Sequence, residues 1–97
     1  MDRITSKHLE QLCRVLNNRV NGNTDPLWTR VGSENVATIG AFYIDGAYGG
    51  VALYRIVTDG GGVTDIFRNG HMPKRDLYAR MTALLDGIGL ARELVSA

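Results

Sequence analysis

The residues best suited to chemistry stand together late in the chain. Arg68-Asn69-Gly70-His71-Met72-Pro73-Lys74-Arg75, with Arg80 further on, places fixed cations and a titratable His at the expected start of a helix. A helix N-terminus already carries positive dipole, so each added cation there costs up to about 1 kcal/mol. A bound anion would reverse that sign, because free N–H groups and the dipole both favour negative charge. Two readings follow. Either Asp65 and Asp76, close in sequence, neutralise the cluster, or Arg68, His71, Lys74, Arg75 and Arg80 contact an anion such as a nucleic-acid phosphate.

Other groups point away from catalysis. Cys13 is the single cysteine, which excludes an intramolecular disulfide and a cysteine-based zinc finger. It falls at a helical core spacing, where a thiol is a small buried hydrophobe. His8 and His71 have no second ligand at metal spacing, so no metal site and no cofactor are expected. Gly60-Gly61-Gly62 lacks the Lys-Ser/Thr of a phosphate loop and reads as a turn. No nucleophile signature such as G-x-S-x-G occurs, so no catalytic residues and no enzyme activity are expected.

Ninety-seven residues allow one domain, spanning 1–97. A formal net charge of +1 argues against a general electrostatic nucleic-acid binder, which is usually strongly basic. No apolar run approaches the roughly 20 residues of a membrane span. The opening MDRITSKHLEQ has no apolar segment of the secretory kind. A cytoplasmic protein is the expectation.

The elements that must position these groups centre on one hairpin, Ala37 to Val57. Asp45-Gly46 between apolar runs is a strong turn signal, because glycine accepts positive φ without strain. A two-residue Asp45-Gly46 loop pairs Ile44 with Ala47; a six-residue Asp45–Gly50 loop pairs Ile44 with Val51. Both pair even with odd positions and build the same two faces. The first carries Phe42, Ile44, Val51, Leu53, Arg55 and Val57, and its larger aliphatic side chains assign it to the core. Arg55 there must reach an edge along its stem. The second face carries Ile39, Ala41, Tyr43, Ala52, Tyr54 and Ile56.

Before the hairpin, Leu9, Leu12, Cys13, Leu16 and Val20 give one apolar helix face over about Ser6 to Val20. Thr5 is its N-cap, and Ile4 with Leu9 its hydrophobic staple. Asn23–Pro26 reads as a loop, Leu27–Val31 as a short strand, and Gly32–Asn35 as the turn into the hairpin. After the hairpin, Val63–Phe67 reads as a strand. A second helix opens near Pro73, with Leu77, Tyr78, Met81, Leu84, Leu85 and Ile88 as its stripe. Gly87 and Gly89 weaken its end, and Leu90–Val95 is expected to continue as a frayed helix. The fold class is α+β: an αβββα sandwich, an antiparallel sheet with both helices on one face.

That order, with basic residues opening the last helix, resembles a double-stranded-RNA-binding domain, Lys74 and Arg75 falling on the phosphate-contacting helix start and Gly70 on the glycine before it. Only two adjacent basic residues are present, and the 32–35 loop lacks that family's Pro/His pattern, so the resemblance is architectural. A wider resemblance rests on ITSKHLEQLCRVLN, YIDGAYGGVALYRI, GGGVTDIF and GHMPKRDLYARMTALLDGI. As a set these resemble a family of small accessory proteins from phages of actinobacteria. The resemblance implies a bacterial cytoplasm and supplies no catalytic residue.

Helices with one apolar stripe each can cover only the first sheet face. The second is therefore expected to be open, with Ile39, Tyr43, Tyr54 and Ile56 as a protein-binding patch. A homodimer is the simplest occupant, since a two-fold needs one self-complementary surface. A host protein is the other. Nucleic-acid backbone binding through the 68–80 cations is the alternative function.

Overall fold

The computed structural model describes residues 3–22 and 27–96; the loop expected over Asn23–Pro26 lies outside them. The order is α1 (Ser6–Asn21), β1 (Trp28–Val31), β2 (Glu34–Ala37), β3 (Phe42–Ala47), β4 (Gly50–Ile56), β5 (Val63–Asp65) and α2 (Lys74–Ser96). β3, β4 and β5 form an antiparallel sheet in that spatial order, and β1 with β2 forms a separate hairpin. The architecture is the expected α+β sandwich, and the strand expected over Leu27–Val31 is β1; the turn is confined to Gly32-Ser33, and Glu34–Ala37 is a strand that pairs with β1 as a second hairpin.

α1 starts where its capping residues put it. His8 N–H donates to Thr5 Oγ1 at 3.4 Å, and Thr5 N–H donates back to His8 Nδ1 at 3.1 Å. His8 thus fills the place a Glu or Gln takes in a capping box. Leu9, Cys13 and Leu16 are buried. They meet Leu77, Met81 and Leu85 of α2 over Phe42, Val51 and Leu53, so both helices lie on the first sheet face. Arg3 and Ile4 line the same cleft as Pro73–Asp76, and at the other end an Arg92 guanidinium N–H donates to the Arg19 carbonyl. The helices therefore run in the same direction.

α2 passes Gly87 and Gly89 and continues to Ser96, so the expected helical continuation over Leu90–Val95 is present. Twenty-three residues at 1.5 Å each reach about 34 Å, longer than a seven-residue strand, so Leu90, Leu94 and Val95 stand exposed beyond the core.

The hairpin turn is neither of the two expected. Phe42 pairs with Arg55, Ile44 with Leu53 and Ala47 with Gly50. The two-residue turn is Tyr48-Gly49, with φ of 55° and 73°, both positive as a type I′ turn requires. Tyr48 is strained there, but the register sets Ile44 against Leu53 and Tyr43 against Tyr54. A turn at Asp45-Gly46 would have run Val51–Ile56 past Gly40 and out of the core. Packing decided the register over local turn preference. The sum of paired positions stays odd, so the paired residues keep their expected faces; Val57, expected on the core face, lies past the end of β4 and is exposed.

Arg55 is accommodated on the core face at its edge. Its Nε donates to the Gly40 carbonyl at 3.0 Å, and its guanidinium lies 4.9 Å from the Phe42 ring centre.

Candidate functional site

The sheet's second face is closed at one end and open at the other. Ile56 is 2% exposed and packs with Ala37, Ala41, Leu27 and Tyr43, because the β1–β2 hairpin and Leu27 cover that end. This corrects the expectation that the whole face is open: Ile56 offers no contact surface. The helices do cover only the first face, but Leu27 and β2 supply the second cover. Ile39 is exposed, while Tyr43 and Tyr54 are partly buried. Trp28 packs against the 58–62 turn, where a Cβ on Gly61 would sit 2.6 Å from its ring.

The open end carries a cluster that spacing in sequence does not show. His71 Nε2 lies 2.7 Å from Asp45 Oδ2. A carboxylate only accepts, so Nε2 carries the proton of this bond. Tyr48 and Tyr54 stand edge-on to the imidazole, with ring centres 5.7 and 6.1 Å away, and Tyr43 stands edge-on to Tyr54 at 5.8 Å. Burial pushes the Tyr43 hydroxyl pKa up, and the Asp45 carboxylate and Tyr54 add to the shift. Tyr43 therefore stays a neutral phenol well past physiological pH.

Three local devices build this cluster. The hairpin register puts Asp45 opposite Ala52. Val51 and Met72 exchange both backbone bonds, at 2.8 and 2.9 Å, which sets His71 beside Ala52 on its other flank. Ala52 is fully buried, and its small side chain lets Asp45 and His71 meet above it. Asp65 delivers the segment: its two carboxylate oxygens accept from Arg68 N–H and Gly70 N–H at 3.2 and 3.0 Å.

These contacts break up the cation cluster that the sequence suggests. His71 turns to Asp45 on the sheet face. Asp65 is spent on backbone N–H groups and does not neutralise a cation. Arg80 lies over the Phe67 ring at 5.9 Å, and Arg68 is exposed at φ 57°. Lys74 and Arg75 remain together and are joined by Arg3 around an open cleft of about 540 Å³. Among the described residues, the only contact within 4 Å between an acidic side chain and a Lys, Arg or His side chain is that of Asp45 with His71. The 60–62 glycines form a closed turn, with Gly62 N–H on Thr58 Oγ1 and Gly61 N–H on the Thr58 carbonyl.

The Asp45–His71 pair orients an imidazole, but no serine, threonine or cysteine hydroxyl or thiol bonds to it among the described residues. Cys13 lies in the core, where its Sγ donates to the Phe42 carbonyl at 3.3 Å and burial pushes its pKa up to about 11. Among the described residues, no group of three or more His, Cys, Asp or Glu side chains could hold a metal ion, and no helix is long and apolar enough to cross a membrane. No protein-family model, no curated protein and no solved structure matches this chain.

Proposed function

We propose that this chain is a small non-enzymatic accessory protein of the actinobacteriophage kind, acting in a bacterial cytoplasm by binding protein. The observation that carries the reading is the aromatic patch of Tyr43, Tyr48, Tyr54 and His71 at the uncovered end of the sheet. Tyr48, at the tip of the β3–β4 turn, is 97% exposed. Tyrosines present large rigid area with few rotatable bonds and are enriched in contact surfaces. The occupants are a host or phage protein, and a second copy of the chain seated on Ile39, Tyr43 and Tyr54.

One observation favours a second reading, nucleic-acid backbone binding: Arg3, Lys74 and Arg75 share a cleft at the start of α2. Capture from an actinobacterial lysate separates the two. Protein binding predicts a partner retained at high salt, lost with Tyr48→Glu and Tyr54→Glu together, and kept with Lys74→Gln and Arg75→Gln. Backbone binding predicts heparin retention, a steep salt dependence and the opposite mutant pattern. Sedimentation of the pure protein tests the homodimer; a monomer at high micromolar concentration removes it.

A further inference from the structure

The strand order leaves β3 with an open edge, and the hydrogen-bond parity says which atoms stand on it. Val51 points its N–H and carbonyl to Met72, away from β3. Gly50, Ala52 and Tyr54 therefore face β3 and bond Ala47, Asp45 and Tyr43. The alternate β3 residues Phe42, Ile44 and Gly46 must point their backbone groups outward. Phe42 is already served: Asn17 Oδ1 accepts from its N–H at 2.7 Å, and Asn17 Nδ2 donates to its carbonyl at 2.9 Å. One side-chain amide thus does there what a neighbouring strand would do. The N–H and carbonyl groups of Ile44 and Gly46 have no hydrogen-bond partner among the described residues. Gly46 itself is exposed.

We propose that the β3 edge at Ile44–Gly46 accepts an extended segment of a partner protein in antiparallel pairing, with a lysine or arginine opposite Asp45. The inference rests on the protein-binding reading and gives that partner its chemistry. Two bonded pairs at Ile44 and Gly46 flank one non-bonded pair at Asp45, where facing side chains approach most closely. The Asp45 side chain is 38% exposed, so its carboxylate is open to a cation there as well as to His71. The same charge argues against a second copy at this edge. A two-fold centred on Asp45 would set two carboxylates opposite one another, a like-charge pair that destabilises a sheet. Strand addition of this kind takes affinity from the main chain and selectivity from alternate side chains.

The test uses the full chain and short, terminally blocked peptides of alternating threonine and valine with either lysine or glutamate at the centre. Amide chemical shifts and hydrogen exchange are read at about millimolar peptide. The lysine peptide should shift and protect the Ile44 and Gly46 amides, leave the Tyr43 and Asp45 amides unchanged, and bind about fivefold tighter than the glutamate peptide. Asp45→Asn should erase most of that preference. Gly46→Pro removes an edge donor that β4 does not use, and proline is tolerated on such edges; it should abolish binding, whereas Gly46→Ala should retain it. If the proline variant does not fold, the wild-type exchange data decide. Ile44 and Gly46 amides protected without peptide, or unmoved by it, overturn the proposal. Protection that rises with protein concentration makes the occupant a second copy and also overturns it. Shifts confined to Tyr48, Tyr54 and His71 overturn the edge and leave the protein-binding reading standing.

Discussion

Replacing Asn17 by alanine should be among the most costly single changes to a polar residue in this chain. Its amide satisfies both backbone groups of Phe42, at 2.7 and 2.9 Å, and Phe42 is 5% exposed. Without it the Phe42 N–H loses its partner beside α1, while the carbonyl keeps the Cys13 thiol. Both bonds are part-buried, so water can replace them and each costs about 0.5–1.5 kcal/mol net. The sum is about 1–3 kcal/mol. For a domain of this size that lowers Tm by roughly 5–15 °C. Asn17→Asp should not rescue, because the donor is gone and a carboxylate faces a carbonyl oxygen. Urea titration with native-state exchange checks it: the Phe42 amide should lose protection while the Tyr54 amide, inside the β3–β4 ladder, keeps it. The free edge would also lengthen from Ile44–Gly46 to include Phe42, so the variant should aggregate more readily. A loss below about 0.5 kcal/mol, or an undiminished Phe42 protection factor, would refute the edge-capping argument.

Other outcomes follow from burial and charge. Leu77→Ala should cost about 2–5 kcal/mol, since Leu77 is fully buried; Leu84, only partly buried, should cost clearly less, and equal midpoints in urea would reject the packing described. The Cys13 thiol should resist alkylation at pH 8 while the protein is folded and react at once in denaturant. Because its folded pKa is raised from 9.0 to about 11, its contribution to stability is full below pH 9 and falls as pH rises from 9 to 11, which chemical denaturation at several pH values can follow. Gly61→Ala puts a methyl group into the Trp28 ring at a φ of +95°; it should destabilise and shift the emission of the only tryptophan, and an unchanged spectrum would contradict the contact. Lys74→Gln with Arg75→Gln should leave Tm unchanged or slightly higher, as two cations leave the positive end of α2.

The parts of the fold that were legible are those specified by local period. Leu9, Cys13 and Leu16 at helical spacing, with Thr5 ahead of them, are enough to place α1. The odd–even rule assigned both hairpin faces although the turn itself was misplaced, because parity survives any shift by an even number of positions. What escaped was non-local. Glu34–Ala37 has little strand character and is held by pairing with Trp28–Val31. Covering Ile56 depends on Leu27 folding back over the sheet, which no periodicity reports. The Asp45–His71 contact depends on the Val51–Met72 bridge, set by a loop that Asp65 ties through its backbone bonds. One signal did exist: Asp45 shares its face parity with Tyr43, so an acidic residue beside tyrosines was readable. The identity of its partner was not.

The protein-binding reading meets its most direct test at Tyr48. This side chain is almost wholly exposed and stands over the Asp45–His71 pair. Replacing it with the photo-reactive residue benzoylphenylalanine and irradiating in an actinobacterial lysate samples whatever touches the patch. Protein binding predicts a discrete protein adduct, formed equally at low and high salt and lost when Tyr54→Glu is added. Absence of any protein adduct, or crosslinking only to nucleic acid, would contradict it.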